Sequence, residues 1–371
     1  MTSIKGLFAG KPGQKSKEPI SNTNLLMTIT VCTFIGMYVL GMIVWGGGFL
    51  NPQQFLDIFN NNAFLIVISC GMTIVMVTGG IDISVGKITA LVTMACVVYL
   101  QAAEGGTIIG SVGIALGIGI LFGLFQGLLV AYLDIQPFIV TLAGMFFAKG
   151  MITIVSAVPV TAGNEVFKAL KDFRIVVPGI GYYGKNGNFI AAKIEPGVII
   201  AIAVVIAIFV IMKWTRFGRN LYAVGGNSQS ALMLGINVTR TKFYAYLLCG
   251  LLAGIGGYVY LLHTGAGNYS NATAAEMQAI AAAIIGGTLL TGGVGNVIGT
   301  VFGVLTLKTI SNIVLASGLK EPYWQSITVG LMLFFFIVLQ SVVLSIREKG
   351  GFKKAVSTKG SQAAKDSGLS S

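Results

Sequence analysis

Charge is scarce in this sequence. Only 10% of its 371 residues are charged, against about 25% in an average soluble domain. With 55% hydrophobic residues and a mean hydropathy of +0.85, a water-soluble globule is excluded and a polytopic, all-α membrane protein is expected. Histidine is scarcer still, with His263 alone. One histidine without a nearby cysteine or carboxylate cluster argues against a metal site, and no Ser-His-Asp spacing supports nucleophilic catalysis. The four cysteines, Cys32, Cys70, Cys96 and Cys249, sit inside apolar runs, where they serve as small hydrophobes and no disulfide is expected. A P-loop is also missing: Gly86-Lys87 is followed by Ile88 and lacks the preceding glycine spacing. The chain therefore has no P-loop with which to bind ATP, and no cofactor is expected.

What charge there is has a pattern. The formal excess of +12 lies in residues 1–20, 213–242 and 347–371, which carry +3, +5 and +4. Basic excess in short segments outside the membrane marks the cytoplasmic side. The two termini and the loop 213–242 are therefore expected inside, which leaves the high pI with no need of nucleic acid. The transmembrane domain is expected over residues 21–346 between two basic cytoplasmic tails. The first apolar run follows about twenty polar residues and is long enough to span, so it reads as a retained anchor.

About 20 apolar residues cross a bilayer. The sequence offers about ten such segments: Asn24–Trp45, Ala63–Thr78, Ile83–Gln101, Thr107–Tyr132, Gln136–Val155, Pro196–Trp214, Phe243–Leu262, Met277–Leu290, Asn296–Ala316 and Trp324–Ile346. Residues 51–62, NPQQFLDIFNNN, are polar and amphipathic and are expected on the outer surface. Residues 156–195 are too polar to span and form the largest external loop. Trp45, Trp214 and Trp324 each fall at a segment end, as interfacial anchors do. In the fourth segment Gly119, Gly123 and Gly127 recur every fourth residue, giving a face on which a neighbouring helix can come close.

Two stretches interrupt the apolar pattern. Thr78 to Gly86 reads TGGIDISVG, and Thr291 to Gly299 reads TGGVGNVIG. An unwound Gly-Gly turn exposes backbone groups that hydrocarbon cannot satisfy, so such breaks belong in protein or beside a polar cavity. Two related halves with broken or re-entrant helices follow, and with them a path for a polar solute. The match pairs the turn between segments two and three with that between eight and nine; either segment eight is re-entrant, or the likeness is local. Asp82 beside a helix start is a natural cap, and its carboxylate can also accept solute hydroxyls. Lys149 and Lys308 fall near the middle of their segments, where a charge costs about 2.5–3.5 kcal/mol and needs a partner or water. The expected wall of the path comprises Gly79, Gly80, Asp82, Ser84, Phe138, Thr141, Thr291 and Asn296. In the basic loop, Asn227 and Ser228 can start a short helix and Gly235 can end it, with Ala231, Leu232 and Leu234 offering a partner an apolar face.

Four strings in order, GMTIVMVTGGIDISVG, QPFIVTLAGMFFAKG, FGRNLYAVGGNSQSALMLGIN and EMQAIAAAIIGGTLLTGGVGNVIGT, resemble the hallmark segments of the ribose/monosaccharide-type permease family of ABC importers. The likeness covers roughly residues 50–340 and is nearest the ribose, galactose and galactofuranose permeases. It implies a membrane subunit that pairs with a second permease chain, with ATP-binding cassette subunits that hydrolyse the nucleotide, and with an extracytoplasmic sugar-binding protein. It also implies that Gly225–Gly235, with Arg219, Gly225, Asn227, Ala231, Leu234 and Gly235, seats in the ATPase. Lys87 stands where the family has a small residue, whereas Lys149 followed by glycine fits its pattern. The expected activity is inward passage of a monosaccharide through a multi-pass protein of the inner membrane, by alternating access. The rivals are a secondary transporter driven by an ion gradient, a permease for nucleosides, and an intramembrane enzyme; the first needs a midplane carboxylate or histidine relay, the last a catalytic constellation in the spans.

Overall fold

The computed structural model describes residues 22–46, 49–101, 106–183, 189–319, 321 and 323–342. Segments 1–20 and 347–371 lie outside the described residues. In chain order the elements are α1 (Asn22–Trp45), α2 (Pro52–Val77), α3 (Val85–Gln101), α4 (Ile108–Ala131), α5 (Pro137–Val155), β1 (Val160–Thr161), α6 (Glu165–Asp172), β2 (Ile175–Tyr183) and β3 (Phe189–Ile194). There follow α7 (Pro196–Trp214), α8 (Arg216–Gly226), α9 (Ser228–Met233), α10 (Val238–Thr264), β4 (Ala266–Gly267), α11 (Ala275–Ile285) and α12 (Val297–Ala316). A final helix, α13, covers Tyr323–Val342.

Proline sets three of the starts: Pro52, Pro137 and Pro196 stand in the first turns of α2, α5 and α7, where the missing N–H is not needed. Eight helices are long and apolar enough to cross a membrane, and α3 and α11 are shorter apolar helices. The ten apolar segments are therefore all present. Their bounds differ in one instructive place. Residues 51–62 do not form a separate surface segment but the first half of α2, with Asn51 as its cap. Their polar groups are satisfied: Asn62 donates to the Ile58 carbonyl at 2.8 Å, and Asn60 donates to that of Lys193 at 3.1 Å and accepts from the Glu195 amide at 3.0 Å.

Helices α2 and α10 lie at the centre, mostly buried, while α1, α4, α5, α7 and α13 form a largely exposed rim. That rim carries Ile43, Leu121, Ile206 and Phe334 outward, the surface a hydrocarbon solvent matches. Glycine decides how the centre packs. A methyl group added at Gly250 would lie 2.5 Å from the Gly119 carbonyl oxygen, and one at Gly123 would lie 2.9 Å from Leu247 Cα. The glycine face of α4 thus lies against α10 with antiparallel register. On the other side, Thr89 and Thr93 of α3 donate to the carbonyls of Ala253 (3.4 Å) and Gly257 (3.0 Å) on α10, in parallel register.

At the end of the bundle where α7 begins, β2 and β3 form an antiparallel hairpin and β1 pairs with β4. Glu195 anchors this region, meeting Arg174 at 3.0 Å and His263 at 2.7 Å. The single histidine is thereby accounted for as a hydrogen-bonded partner.

Candidate functional site

The two chain breaks meet. Helix α2 ends with Gly79 at φ +82°, its N–H bonded to the Met76 carbonyl and that of Gly80 to the Val75 carbonyl. Helix α11 ends in the same way, with Gly287 at φ +90° and the N–H groups of Gly287 and Thr288 bonded to Ile284 and Ala283. Both are left-handed glycine caps that close off the last carbonyls of a helix. The TGG repeat therefore aligns the starts of α3 and α12, but α11 closes earlier, at Gly286-Gly287-Thr288. Its second member, Gly292-Gly293, also has positive φ values (+85° and +74°) and folds back across the first break. The Gly293 N–H donates to the Val77 carbonyl at 2.9 Å, so both turns lie at the same end of the bundle.

A third backbone enters this junction from α8. A methyl group on Gly225 would stand 1.7 Å from the Val77 carbonyl oxygen and 2.5 Å from the Gly293 nitrogen. Only glycine permits that approach. Tyr222, one turn earlier, donates to the Gly295 carbonyl at 2.9 Å. Two residues after Gly225 the chain enters α9: Asn227 caps it by accepting from the Ser230 amide at 2.8 Å, and Gly235 at φ +79° ends it. Leu232, Met233 and Leu234 are 65%, 90% and 79% exposed. Ala231, expected on that outward face, is buried instead, and Met233 takes its place. Successive side chains turn by about 100°, which puts Met233 on the side opposite Ala231, while Leu234 at the C-cap already lies beyond the helix and completes the exposed tip. Arg219 is exposed and donates to the Trp214 carbonyl.

Between the break and α3, Asp82 is completely buried. Its Oδ1 accepts from the Ser84 amide at 2.9 Å and from the Ser84 hydroxyl at 2.5 Å, and Gln126 of α4 donates to the same hydroxyl at 2.7 Å. The carboxylate thus acts as a cap tied to a neighbouring helix. Gln126 Oε1 has no hydrogen-bond partner among the described residues, and the Cys249 thiol lies beside the Asp82 carboxylate. Thr141, also buried, donates to the Pro137 carbonyl at 3.0 Å, and Gly80 is closed over by the Tyr246 ring. Phe138, Gly79 and Thr291 are exposed. Asn296 caps α12, accepting from the Ile298 amide at 2.9 Å. Of the expected wall residues, then, some hold the broken helices from behind and others stand on the open surface. Lys308 finds a partner in Gln278 at 2.6 Å.

Residues 265–276 were not among the expected site positions, and apart from the two-residue β4 their chain is irregular up to the start of α11 at Ala275. After α10, Gly267 packs on Met94 and Val97 of α3, and further on Glu276 reaches Gly86 at the start of α3. The chain between them runs back along α3, and α11 continues in the same direction to the junction end at Gly286, so the two together make one broken crossing and not a re-entrant loop. Ala272 and Ala274 have positive φ values, and Asn268 accepts from the Ser270 amide at 3.2 Å while Asn271 donates to the Ala266 carbonyl at 3.0 Å. Tyr269 projects outward, 5.8 Å from its ring centroid to the Lys149 ammonium of α5. The sequence signal was the string TGAGNYSNAT, whose glycines and asparagines are turn formers placed between two apolar runs. A cavity of about 730 Å³ opens between α3, α4 and α5, but apart from Gln126 its lining is apolar, with Leu91, Phe122, Phe125 and Phe147. It offers little to a polar solute.

The family described as "Branched-chain amino acid transport system / permease component" matches residues 54–337. An inner membrane ABC transporter permease protein of Escherichia coli is 37% identical over 85% of this chain and 92% of its own length. A fructose import permease protein of Bifidobacterium longum is 36% identical over 87% and 92%, and a ribose import permease protein of Bacillus subtilis 33% over 82% and 91%. No solved structure matches the chain.

Proposed function

Because the chain belongs to the permease-component family of ABC transport systems, we propose that it carries a monosaccharide inward across the membrane, as one of a pair of permease chains driven by separate ATP-binding subunits. It is a transporter component rather than an enzyme, embedded in the membrane, and its class works with ATP-binding and substrate-binding partners. The finer assignments are ours. The observation that carries them is the wedge of Gly225 between the two broken-helix turns, immediately before a helix with a bare apolar tip.

In this reading, Leu232, Met233 and Leu234 insert into a groove of the ATP-binding subunit, with Asn227 and Gly235 setting the bounds of the inserted helix and Arg219 at its root. A push on α9 reaches Gly225, and through it the ends of α2 and α11 together. Alternating access then follows from a rigid lever acting on two glycine hinges, which are the positions best able to absorb backbone rotation. The basic excess of residues 213–242 supports a cytoplasmic position for this end, and that of residues 1–20 and 347–371 supports the same for both termini. The opposite end, with the hairpin and α6, receives the extracytoplasmic sugar-binding protein. Phe138 faces the path, Gly79 and Thr291 form its cytoplasmic gate, and Gly80, Asp82, Ser84, Thr141 and Asn296 hold that wall in shape.

Sugars are favoured as cargo because relatives similar over most of their length are named for fructose and ribose. Branched-chain amino acids are the second reading, favoured by the family description. The test is reconstitution in vesicles with the ATP-binding subunit and the binding protein, offering labelled ribose, fructose, galactose and leucine. ATP-dependent accumulation of a sugar is expected. Accumulation of leucine alone, or accumulation by this chain unaided on a proton or sodium gradient, would overturn the proposal.

A further inference from the structure

Residues 265–276 pose a problem that the family reading leaves open. Thr89 and Thr93 fix α3 beside Ala253 and Gly257, so the chain that runs back from Met94 to Gly86 descends from the end of α10 to about its middle. Irregular backbone lies there at the depth of the spans. Hydrocarbon cannot satisfy its N–H and C=O groups, so it must be covered by protein or face water. Its side chains point the same way: Tyr269 is 45% exposed, and Ser270 and Thr273 are exposed with it. Across from them stands Lys149, thirteenth of the nineteen residues of α5, also exposed, its ammonium 5.8 Å from the Tyr269 ring. An ammonium and two hydroxyl residues on one surface at this depth do not fit a lipid face.

We propose that Tyr269 and Lys149, with Ser270 and Thr273, form a sugar-contact site lining the translocation path, the open side of which is closed by the second permease chain. The assignment rests on the sugar-import reading above and deepens it. A hexose or pentose presents an apolar ring face with hydroxyls around its edge. The phenol ring offers that face a platform, while the ammonium and the Ser270 hydroxyl supply donors at its rim and the Thr273 hydroxyl, which itself donates to the Ser270 carbonyl, supplies an acceptor. The site is built for an uncharged polyol. A zwitterionic amino acid would bring its ammonium group beside that of Lys149, and the carboxylate of this stretch that could offset the repulsion, Glu276, is 8% exposed and turned into the first turn of α3 at Gly86. The loop is held in shape by Asn268 and Asn271 and by the β1–β4 pair, in which Val160 faces Gly267.

Two measurements on the assembled transporter test this. First, Tyr269→Cys and Thr273→Cys are made singly in a Cys32→Ser background, the other three cysteines being buried, and exposed to a membrane-impermeant maleimide with and without D-ribose or D-fructose. Labelling at both positions, slowed by the transported sugar, is expected, with Ile206→Cys on the outer rim as an unlabelled control. Second, Tyr269→Ala should lower the ATP-driven uptake rate about tenfold at saturating binding protein with as much assembled transporter in the vesicles as the wild type, while Tyr269→Phe stays within about twofold. Lys149→Met should alter the ratio of ribose to fructose uptake. A merely structural role would lower the amount of assembled transporter and uptake together. Absent labelling, labelling indifferent to sugar, or an unaltered uptake rate in Tyr269→Ala overturns the site while wild-type sugar uptake stands. Wild-type uptake of leucine and of no sugar overturns the site together with the function on which it rests.

Discussion

Replacing Gly225 by alanine is the sharpest perturbation of the junction, because its neighbour supplies a matched control. The added methyl group would meet the Val77 carbonyl oxygen at 1.7 Å and the Gly293 nitrogen at 2.5 Å. Both are backbone atoms, so no side chain can swing aside. Either α8 withdraws or the two turns separate, and the second route breaks the 2.9 Å hydrogen bond from Gly293 to Val77. Overpacking costs about 1–3 kcal/mol and the lost bond about 1 kcal/mol, giving about 2–4 kcal/mol in all. Gly226, the next residue and still in α8, has nothing within 4 Å of such a methyl group. Gly226→Ala should be neutral or stabilising by up to about 1 kcal/mol, since alanine favours a helix. Heat unfolding of the two purified variants in detergent would separate them. In the reconstituted transporter, Gly225→Ala should lower the number of solute molecules moved per ATP hydrolysed, and Gly226→Ala should leave it unchanged. Equal stability and equal coupling in the two variants would refute the junction as a mechanical link.

Three further outcomes follow from the geometry. Asp82→Ala removes the acceptor that caps α3 and should cost about 0.5–2 kcal/mol, whereas Asp82→Asn keeps Oδ1 and should unfold near the wild type; thermal unfolding reads the order. Gly123→Val should push α4 from α10 and cost about 1–3 kcal/mol, against little change for Gly113→Val, where a methyl group meets nothing within 4 Å. Gln278→Leu takes away the oxygen that Lys308 holds at 2.6 Å. It should cost about 1.5–3 kcal/mol, and the double variant with Lys308→Met should recover part of that loss in the same unfolding assay.

Much of the molecule was legible in the residues. Hydropathy runs placed ten apolar helices, because desolvating a span is a property of its own side chains. The glycines at 119, 123 and 127 marked the face of α4 that meets α10, since a period near four leaves one side of a helix bare. Asn227 and Gly235 marked the ends of α9, because capping acts within one turn. What the residues left open was decided at longer range. That Gly225 wedges between Val77 and Gly293, that Ala231 turns inward while Met233 turns out, and that TGAGNYSNAT dips back along α3 all depend on which backbones meet. Such contacts join residues far apart in the chain and are selected by the packing of the whole bundle. Local composition announced that glycine was needed and turns were available; only the tertiary structure determined what the glycines touch and where the polar turn lies.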